Sequence, residues 1–298
     1  MHYSGTTFRP PYEANSLLLQ VTKGCSHNKC AFCSMYRDVP FEVSPLHEVE
    51  ADVAEAASMR PGATRVFLEN GDAFCLPAER LLEIARIIRT GLPQVREITG
   101  YARVQNIATK TDEELRALAQ AGFTEWNIGL ESGLDDVLSF MNKGYDAATA
   151  RTQLLRLGDA GLRFSVNIIN AAAGPARMEE HAAANARIVN EVKPYLIFVS
   201  PLHVDPGTPL EGMLERGEFV ASTMGQYIDE EVAFLEALDL DDCVFFGSHI
   251  SNPVSVLGRL PQGKQALLDE LAEGKAEYPQ EMLDAHPRKG AEGMIIGW

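Results

Sequence analysis

Apolar runs of strand length alternate with segments of helical periodicity from about residue 16 to residue 202, and this rhythm limits the possible folds more than any other feature of the chain. The runs at 16–22, 65–69, 97–102, 125–130, 163–169 and 196–202 read as strands. Helical patterns follow them at 45–59, 77–90, 111–121, 135–141, 147–160 and 179–192. In the second of these, Leu81, Leu82, Ile84, Ala85 and Ile88 recur at the spacing of one helix face. Ser44 is expected to cap the first helix, with Pro45 at its first position. Gly91 is expected to end the second helix. Thr111 and Glu114 have the spacing of a capping box, and Gly122 is expected to stop that helix. Strands joined by helical crossovers form a parallel sheet covered by helices. Six such units suit an open doubly wound sheet or a partial barrel, and the pattern alone does not choose between them.

After about residue 210 the rhythm breaks. A helix at 224–238, a strand at 243–247 and a short helix at 264–273 are expected. The chain is therefore read as a core, 1–210, with a C-terminal extension, 211–298, packed on it.

Composition narrows the class of function. With 46% hydrophobic and 23% charged residues, the 298-residue chain is neither disordered nor fibrous. No apolar run approaches the ~18 residues that span a bilayer. Residues 1–11 lack the apolar core of a signal peptide, so a soluble cytoplasmic protein without a membrane partner is expected. Lys and Arg number 26 against 42 Asp and Glu, a formal net charge of −16. Such a surface repels phosphate backbones and disfavours nucleic acid as a bulk partner, although one local basic groove remains compatible with it.

The chemistry concentrates in five cysteines, of which Cys25, Cys30 and Cys33 fall within nine residues as C-x4-C-x2-C. An odd count and a tight cluster argue against a disulfide framework and for metal or redox chemistry. The cluster follows the first strand, and α/β folds place their sites at the carboxyl ends of parallel strands. Three thiolates suit zinc or an iron–sulfur cluster. A structural zinc takes four protein ligands. Cys75 and Cys243 are isolated, however, and His27 lies inside the loop itself. A [4Fe–4S] cluster held by three cysteines keeps one iron open for an exogenous ligand.

The segment Gly24 to Tyr36, with Phe32 before the last cysteine and Met35-Tyr36 after it, resembles the cluster loop of radical S-adenosylmethionine (SAM) enzymes. The usual spacing in that superfamily, C-x3-C-x2-C, is one residue shorter. Glu69-Asn70-Gly71-Asp72 ends the second strand, where the superfamily contacts the methionine amine of SAM. Gly129-Leu130-Glu131-Ser132-Gly133 ends the fourth and is similar to the G-x-E-S-G stretch of the elongator/methylthiotransferase-like branch. Pro206-Gly207-Thr208-Pro209-Leu210 resembles the P-G-T-P-L run of the same branch.

The resemblance covers roughly 17–210 and implies a partial (β/α)6 TIM-like barrel with a C-terminal extension. It implies that Cys25, Cys30 and Cys33 hold a [4Fe–4S] cluster. SAM would be bound by Phe32, Met35, Tyr36, Glu69, Gly71, Asp72, Glu131, Ser132 and Asn167. A one-electron reductant of flavodoxin or ferredoxin type would drive cleavage of SAM to a 5′-deoxyadenosyl radical, which abstracts hydrogen from substrate.

Plainer readings stand beside these. Phe32 is also a core residue, Glu69 and Asp72 also suit a solvated turn, and Glu131 also suits a helix N-terminus. Asn167 is either a hydrogen-bonded strand residue or a ribose ligand. Cys75 is either a small buried hydrophobe or a hydrogen-atom donor. His203 and Arg103 end predicted strands, and His249 follows another. Cys75, His203 and His249 are the catalytic candidates. The substrate is not readable, and a small molecule is the default. Two spare cysteines argue against a second Cys-ligated cluster and thus against methylthiotransferase chemistry. The alternatives are a non-catalytic zinc or iron–sulfur protein and an RNA-modifying enzyme of the same superfamily.

Overall fold

A computed structural model describes residues 1–286. The last twelve residues of the expected 211–298 extension lie outside the described residues. The chain opens with β1 (Leu17–Gln20), the short strands β2 (Thr22–Lys23) and β3 (Glu42–Val43), and α1 (Leu46–Met59). Next come β4 (Arg65–Glu69), α2 (Ala78–Gly91), β5 (Glu97–Ala102), α3 (Val104–Ala108) and α4 (Asp112–Ala121). The middle holds β6 (Phe123–Glu131), α5 (Asp135–Phe140), α6 (Ala147–Asp159), β7 (Arg163–Asn170), α7 (Met178–Val192) and β8 (Leu196–Pro201). Last are α8 (Pro209–Glu215), α9 (Met224–Ala237), β9 (Cys243–Gly247), β10 (Val256–Leu260), α10 (Lys264–Glu277) and α11 (Gln280–Leu283).

The strand order β1-β4-β5-β6-β7-β8-β9-β10 makes an α/β fold on a mostly parallel eight-stranded sheet, the class expected of a partial (β/α)6 barrel. The chain forms two compact units. One comprises Met1–Asn28, Tyr36–Gly129 and Thr152–Phe164; the other comprises Lys29–Met35, Leu130–Arg151 and the described residues from Ser165 on.

In the first unit, β1 pairs with β4 and β4 with β5, all parallel. Gln20 stands opposite Glu69, so the carboxyl ends of β1 and β4 are level. The core is aromatic as well as aliphatic, with Trp126 between Phe74 and Phe123 at centroid distances of 4.2 and 5.4 Å. Two expected caps differ. The N-cap position of α1 falls on Pro45 rather than Ser44, because the helix begins at Leu46. Gly91 is the last residue of α2 rather than its stop. A Cβ there would stand 2.4 Å from a Val53 methyl, so the glycine serves the close packing of α2 on α1. The capping box is present: Glu114 N donates to Thr111 Oγ1 at 3.2 Å, and Thr111 N donates to Glu114 Oε2 at 2.7 Å. Gly122 closes α4 in the left-handed conformation, φ 104°.

In the second unit, β7 pairs with β8 and β8 with β9, both parallel, while β10 returns antiparallel to β9. The segment after residue 210 therefore adds strands to a sheet as well as helices. β10 was not expected from the sequence because it is an edge strand: Val256 and Leu260 are buried, whereas Leu257 is 56% exposed. Among the described residues no helix is long and apolar enough to cross a membrane.

Candidate functional site

In the first unit, β2 and β3 pair at the base of the cysteine loop. Gly24 follows β2 at φ +73°, and a Cβ there would lie 3.0 Å from the Val39 carbonyl, so only glycine fits. The Gly24 carbonyl accepts the Gly71 N–H at 3.0 Å. Gly71 is equally constrained: a Cβ would stand 2.6 Å from the Tyr36 ring and 3.1 Å from Cys25 Cβ. The backbone leaving β4 thus lies directly against Cys25. Asn70, at φ 71°, makes that turn, a conformation asparagine tolerates better than most residues. Asn28, at φ 46°, turns the chain between the first two cysteines and holds it with Nδ2 donating to the Tyr36 carbonyl at 2.6 Å. The four-residue spacing is accommodated there.

The carboxylates of this turn are buried. Glu69 and Asp72 are each 0% exposed, and Glu69 Oε2 and Asp72 Oδ1 have no hydrogen-bond partner among the described residues. Burial, then the charge of Asp52, raises the Glu69 pKa to about 7. Burial raises Asp72 to about 6, against the opposing pull of a Ser26 hydroxyl bond and of Arg103 and Lys110. Cys75 is half-buried three residues on, and burial together with Asp72 pushes its thiol up to about 12. It is a neutral S–H at pH 7. Lys110 Nζ donates to the Phe74 carbonyl at 2.7 Å, and burial lowers its pKa to about 8. Tyr36 packs edge-on against Phe8, with ring centroids 5.4 Å apart.

In the second unit, the stretch carrying Cys30 and Cys33 is tied by its backbone. Ala31 N donates to the Met141 carbonyl at 2.9 Å, and Leu210 N donates to the Ala31 carbonyl at 3.0 Å. Phe32 packs on an apolar layer that includes Met141, Ile169, Leu202 and Phe219. Glu131 ends β6 at φ +66°. Its Oε1 accepts from Lys143 Nζ at 2.9 Å, and both side chains are buried. Lys143 also lies 5.9 Å from the centroid of the Phe32 ring. Burial pulls the Lys143 pKa down, but Glu131, Tyr145 and Cys30 more than offset it, so the ammonium stays charged.

Ser132 is fully buried, and its hydroxyl meets His181 Nε2 at 2.9 Å. His181 Nδ1 meets Glu230 Oε1 at 2.7 Å. With Glu230 as carboxylate, Nδ1 donates to it and Nε2 accepts from Ser132. Met35 is 40% exposed, Asn167 is half-buried within β7, and His203 is half-buried just past β8. His249 bonds Ser251 through Nδ1 at 2.6 Å, and burial lowers its pKa.

The structure therefore gathers Cys25, Tyr36, Glu69, Gly71, Asp72 and Cys75 in one unit, with Cys30, Phe32, Cys33, Met35, Glu131, Ser132, Asn167, His203 and His249 in the other. All three loop cysteines are outside any disulfide and partly exposed, a donor set that fits a cluster with three thiolate ligands. Among the described residues, no three His, Cys, Asp or Glu side chains are already grouped as metal ligands. Sequence reasoning missed Lys143 and the His181–Glu230 pair. A lone Lys after a short helix reads as a surface cation, and nothing local marks it as buried. Asn70-Gly71 was detectable, since Asn-Gly is a strong turn signal.

A model of the radical SAM superfamily matches residues 19–181, more than half of the chain. The chain belongs to the radical SAM superfamily. It is thus an enzyme of a class that uses SAM and a [4Fe–4S] cluster. Over 232 residues this radical SAM protein is 26% identical to an uncharacterized protein of Methanocaldococcus jannaschii, covering 72% of this chain and 69% of that one. It is 22% identical over 206 residues to a tRNA-2-methylthio-N(6)-dimethylallyladenosine synthase of Neisseria meningitidis, covering 66% of this chain and 46% of the relative. Among solved structures, the radical SAM methyltransferase TsrM of Kitasatospora setae superposes with a TM-score of 0.55 at 18% identity, over 67% of this chain and 39% of that one. Coproporphyrinogen III oxidase (HemN) of Escherichia coli gives 0.54 at 17%, over 74% and 52%. At these identities the structural likeness is one of fold. The chain spans less than half the length of the tRNA enzyme and of the methyltransferase.

Proposed function

We propose that this protein cleaves SAM reductively and uses the resulting 5′-deoxyadenosyl radical to abstract hydrogen from a small-molecule substrate. The observation that carries this reading is the Cys25 loop, packed by Gly71 against a turn of buried, unpartnered carboxylate oxygens. Cys25, Cys30 and Cys33 would hold the [4Fe–4S] cluster through their thiolates. When bound, the cluster supplies the electron that breaks the C5′–S bond of SAM, giving methionine and a radical that takes a hydrogen atom from substrate.

The chain's own residues hold the parts in place. Glu69 and Asp72 present acceptors for the methionine amine, a cation that compensates their burial. The buried Lys143–Glu131 pair presents a cation that suits a carboxylate and an acceptor that suits ribose hydroxyls. Phe32 gives adenine an apolar face. Tyr36 and Gly71 act by keeping the turn close to Cys25, and Ser132 by anchoring the end of β6 through His181. Asn167 and Met35 complete the proposed cofactor contacts. Cys75, His203 and His249 are the proposed substrate-side groups.

A flavodoxin- or ferredoxin-type donor in the cytoplasm supplies the electron, and cysteines outside any disulfide suit that reducing compartment. A net charge of −16 favours a small molecule over RNA. Anaerobic reconstitution followed by SAM and dithionite tests the reading. Roughly four irons with labile sulfide, and 5′-deoxyadenosine in the products, are expected. Replacing all three loop cysteines with Ala should abolish both. Retention of full iron and sulfide by that variant would overturn the ligand assignment.

A further inference from the structure

The second unit contains a cavity of about 470 Å³ that none of the proposed cofactor residues lines. Its volume is within the ~300–1,000 Å³ range of small-molecule sites. Ala171, directly after β7, and Pro201, the last residue of β8, form its inner end. The cavity therefore opens where parallel strands deliver catalytic groups in this kind of fold.

Its walls are apolar. Leu202, Val204 and Phe219 line it and belong to, or pack on, the same apolar layer that seats Phe32, the residue before Cys33. At the rim, Leu214 is 38% exposed and Val220 60% exposed. Large apolar side chains left in water at a concave mouth mark a binding site more often than an accident of folding.

The polar groups are few: Ser222, Tyr227 and His286, whose Nδ1 lies 3.3 Å from the Ser222 carbonyl. Ser222 is 5% exposed, lines the cavity, and its Oγ has no hydrogen-bond partner among the described residues. A buried hydroxyl without a partner is unfavourable, and a ligand's hydrogen-bonding group would relieve it. The Tyr227 hydroxyl is occupied differently: it accepts from Asn252 Nδ2 at 3.2 Å. Glu231, on the same helix, is 0% exposed, and burial raises its pKa to about 8. Glu230 beside it is engaged by His181 Nδ1 at 2.7 Å and by the Ala171 N–H at 2.9 Å. No Asp, Glu, Lys or Arg is among the lining residues described. A charged ligand would lose its hydration with only the His286 imidazole to replace it.

We propose that this cavity receives the substrate, and that the substrate is an uncharged small molecule, apolar over most of its surface, with one hydrogen-bonding group directed at Ser222. This rests on the radical SAM reading of the enzyme. It disfavours acidic substrates, whose charged end would meet only the His286 imidazole here.

The test uses the full-length, anaerobically reconstituted protein with 2-naphthol as the neutral probe and 2-naphthoate as its charged counterpart. Calorimetry should show saturable binding of 2-naphthol and at least tenfold weaker binding of 2-naphthoate. Ala221→Phe, which fills the cavity, should weaken 2-naphthol at least tenfold, and Ser222→Ala about threefold or more. Val204→Trp serves the same purpose if Ala221→Phe does not fold. Saturating 2-naphthol should change the wild-type yield of 5′-deoxyadenosine at least twofold and leave the yield of Ala221→Phe unmoved by the probe. Absence of binding, equal affinity for 2-naphthoate, or unaltered affinity in the filled variants would overturn the inference. So would a saturated cavity that leaves the 5′-deoxyadenosine yield unchanged. The two readings fail separately. Wild-type protein that makes 5′-deoxyadenosine but binds no probe loses only the pocket. Protein that binds the probe but makes none loses the radical reading, and with it the pocket's role as substrate site.

Discussion

Two strand ends, one in each unit, bury acidic residues, and they treat buried charge in opposite ways. The turn after β4 buries Glu69 and Asp72 with one unpartnered oxygen each, and burial raises both pKa values, that of Asp72 against the pull of Arg103 and Lys110. The end of β6 buries Glu131 against a Lys143 ammonium at 2.9 Å. Both places are reached through a left-handed non-glycine residue, Asn70 in one and Glu131 itself in the other. Backbone strain is thus shared, and compensation is not. A pre-neutralised site is complete without ligand, whereas an uncompensated one gains when a cation arrives. The methionine amine of SAM is such a cation.

The largest expected effect breaks the compensated side. Lys143→Ala strands the Glu131 carboxylate in the interior and should cost about 3–5 kcal/mol of stability, read by denaturant unfolding of the metal-free protein. The double variant Lys143→Met, Glu131→Gln should recover most of that loss. A cost below about 1 kcal/mol for Lys143→Ala would show the pair to be solvated and erase the contrast.

The uncompensated side predicts a pH dependence of definite sign. The folded-state pKa of Glu69 is raised from 4.5 to about 7. Its contribution is therefore fully present below about pH 4.5 and lost as pH rises through about 7. Asp72, raised from 3.8 to about 6, loses its contribution over a lower window. Stability of the metal-free protein should fall between these limits. Glu69→Gln should flatten the upper part of that slope and stabilise the protein at pH 8 by on the order of 2–3 kcal/mol. An unchanged slope in Glu69→Gln would assign the pH dependence elsewhere.

Smaller effects sharpen the comparison. Ser132→Ala leaves His181 Nε2 buried without its hydroxyl and should cost about 1–3 kcal/mol. A larger loss of SAM affinity than of stability would make Ser132 a direct SAM contact. The smallest expected effect is that of Cys75→Ser, on the order of 1 kcal/mol, with iron content and SAM cleavage intact. Loss of iron in that variant would make Cys75 a ligand. If 5′-deoxyadenosine still forms while substrate conversion stops, Cys75 is the hydrogen donor.

Strand boundaries were the most legible part of the fold. Arg65–Glu69, Glu97–Ala102 and Cys243–Gly247 coincide with the apolar runs read from the sequence, because a buried parallel strand needs a continuous apolar run. The capping box at Thr111 was equally legible, since its partners lie three residues apart. Helix ends that depend on a neighbour were not: Gly91 looked like a stop and instead makes room for Val53.

The same division holds at the site. Cys25, Cys30 and Cys33 declare themselves by spacing, and the motifs at Glu69–Asp72 and Glu131–Ser132 by their places at strand ends. What those residues touch was decided by the tertiary structure. Lys143 lies twelve residues beyond Glu131, and His181 lies 49 beyond Ser132. No local rule pairs residues at such separations, yet burial makes the pairing obligatory, because a charge or hydroxyl taken from water must find a partner or pay in stability. The sequence determined the strands' apolar runs and the spacing of the cysteine loop proposed to hold the cluster. The environment of each carboxylate depends on which distant side chains the packed chain brings to it, and only the fold decides that.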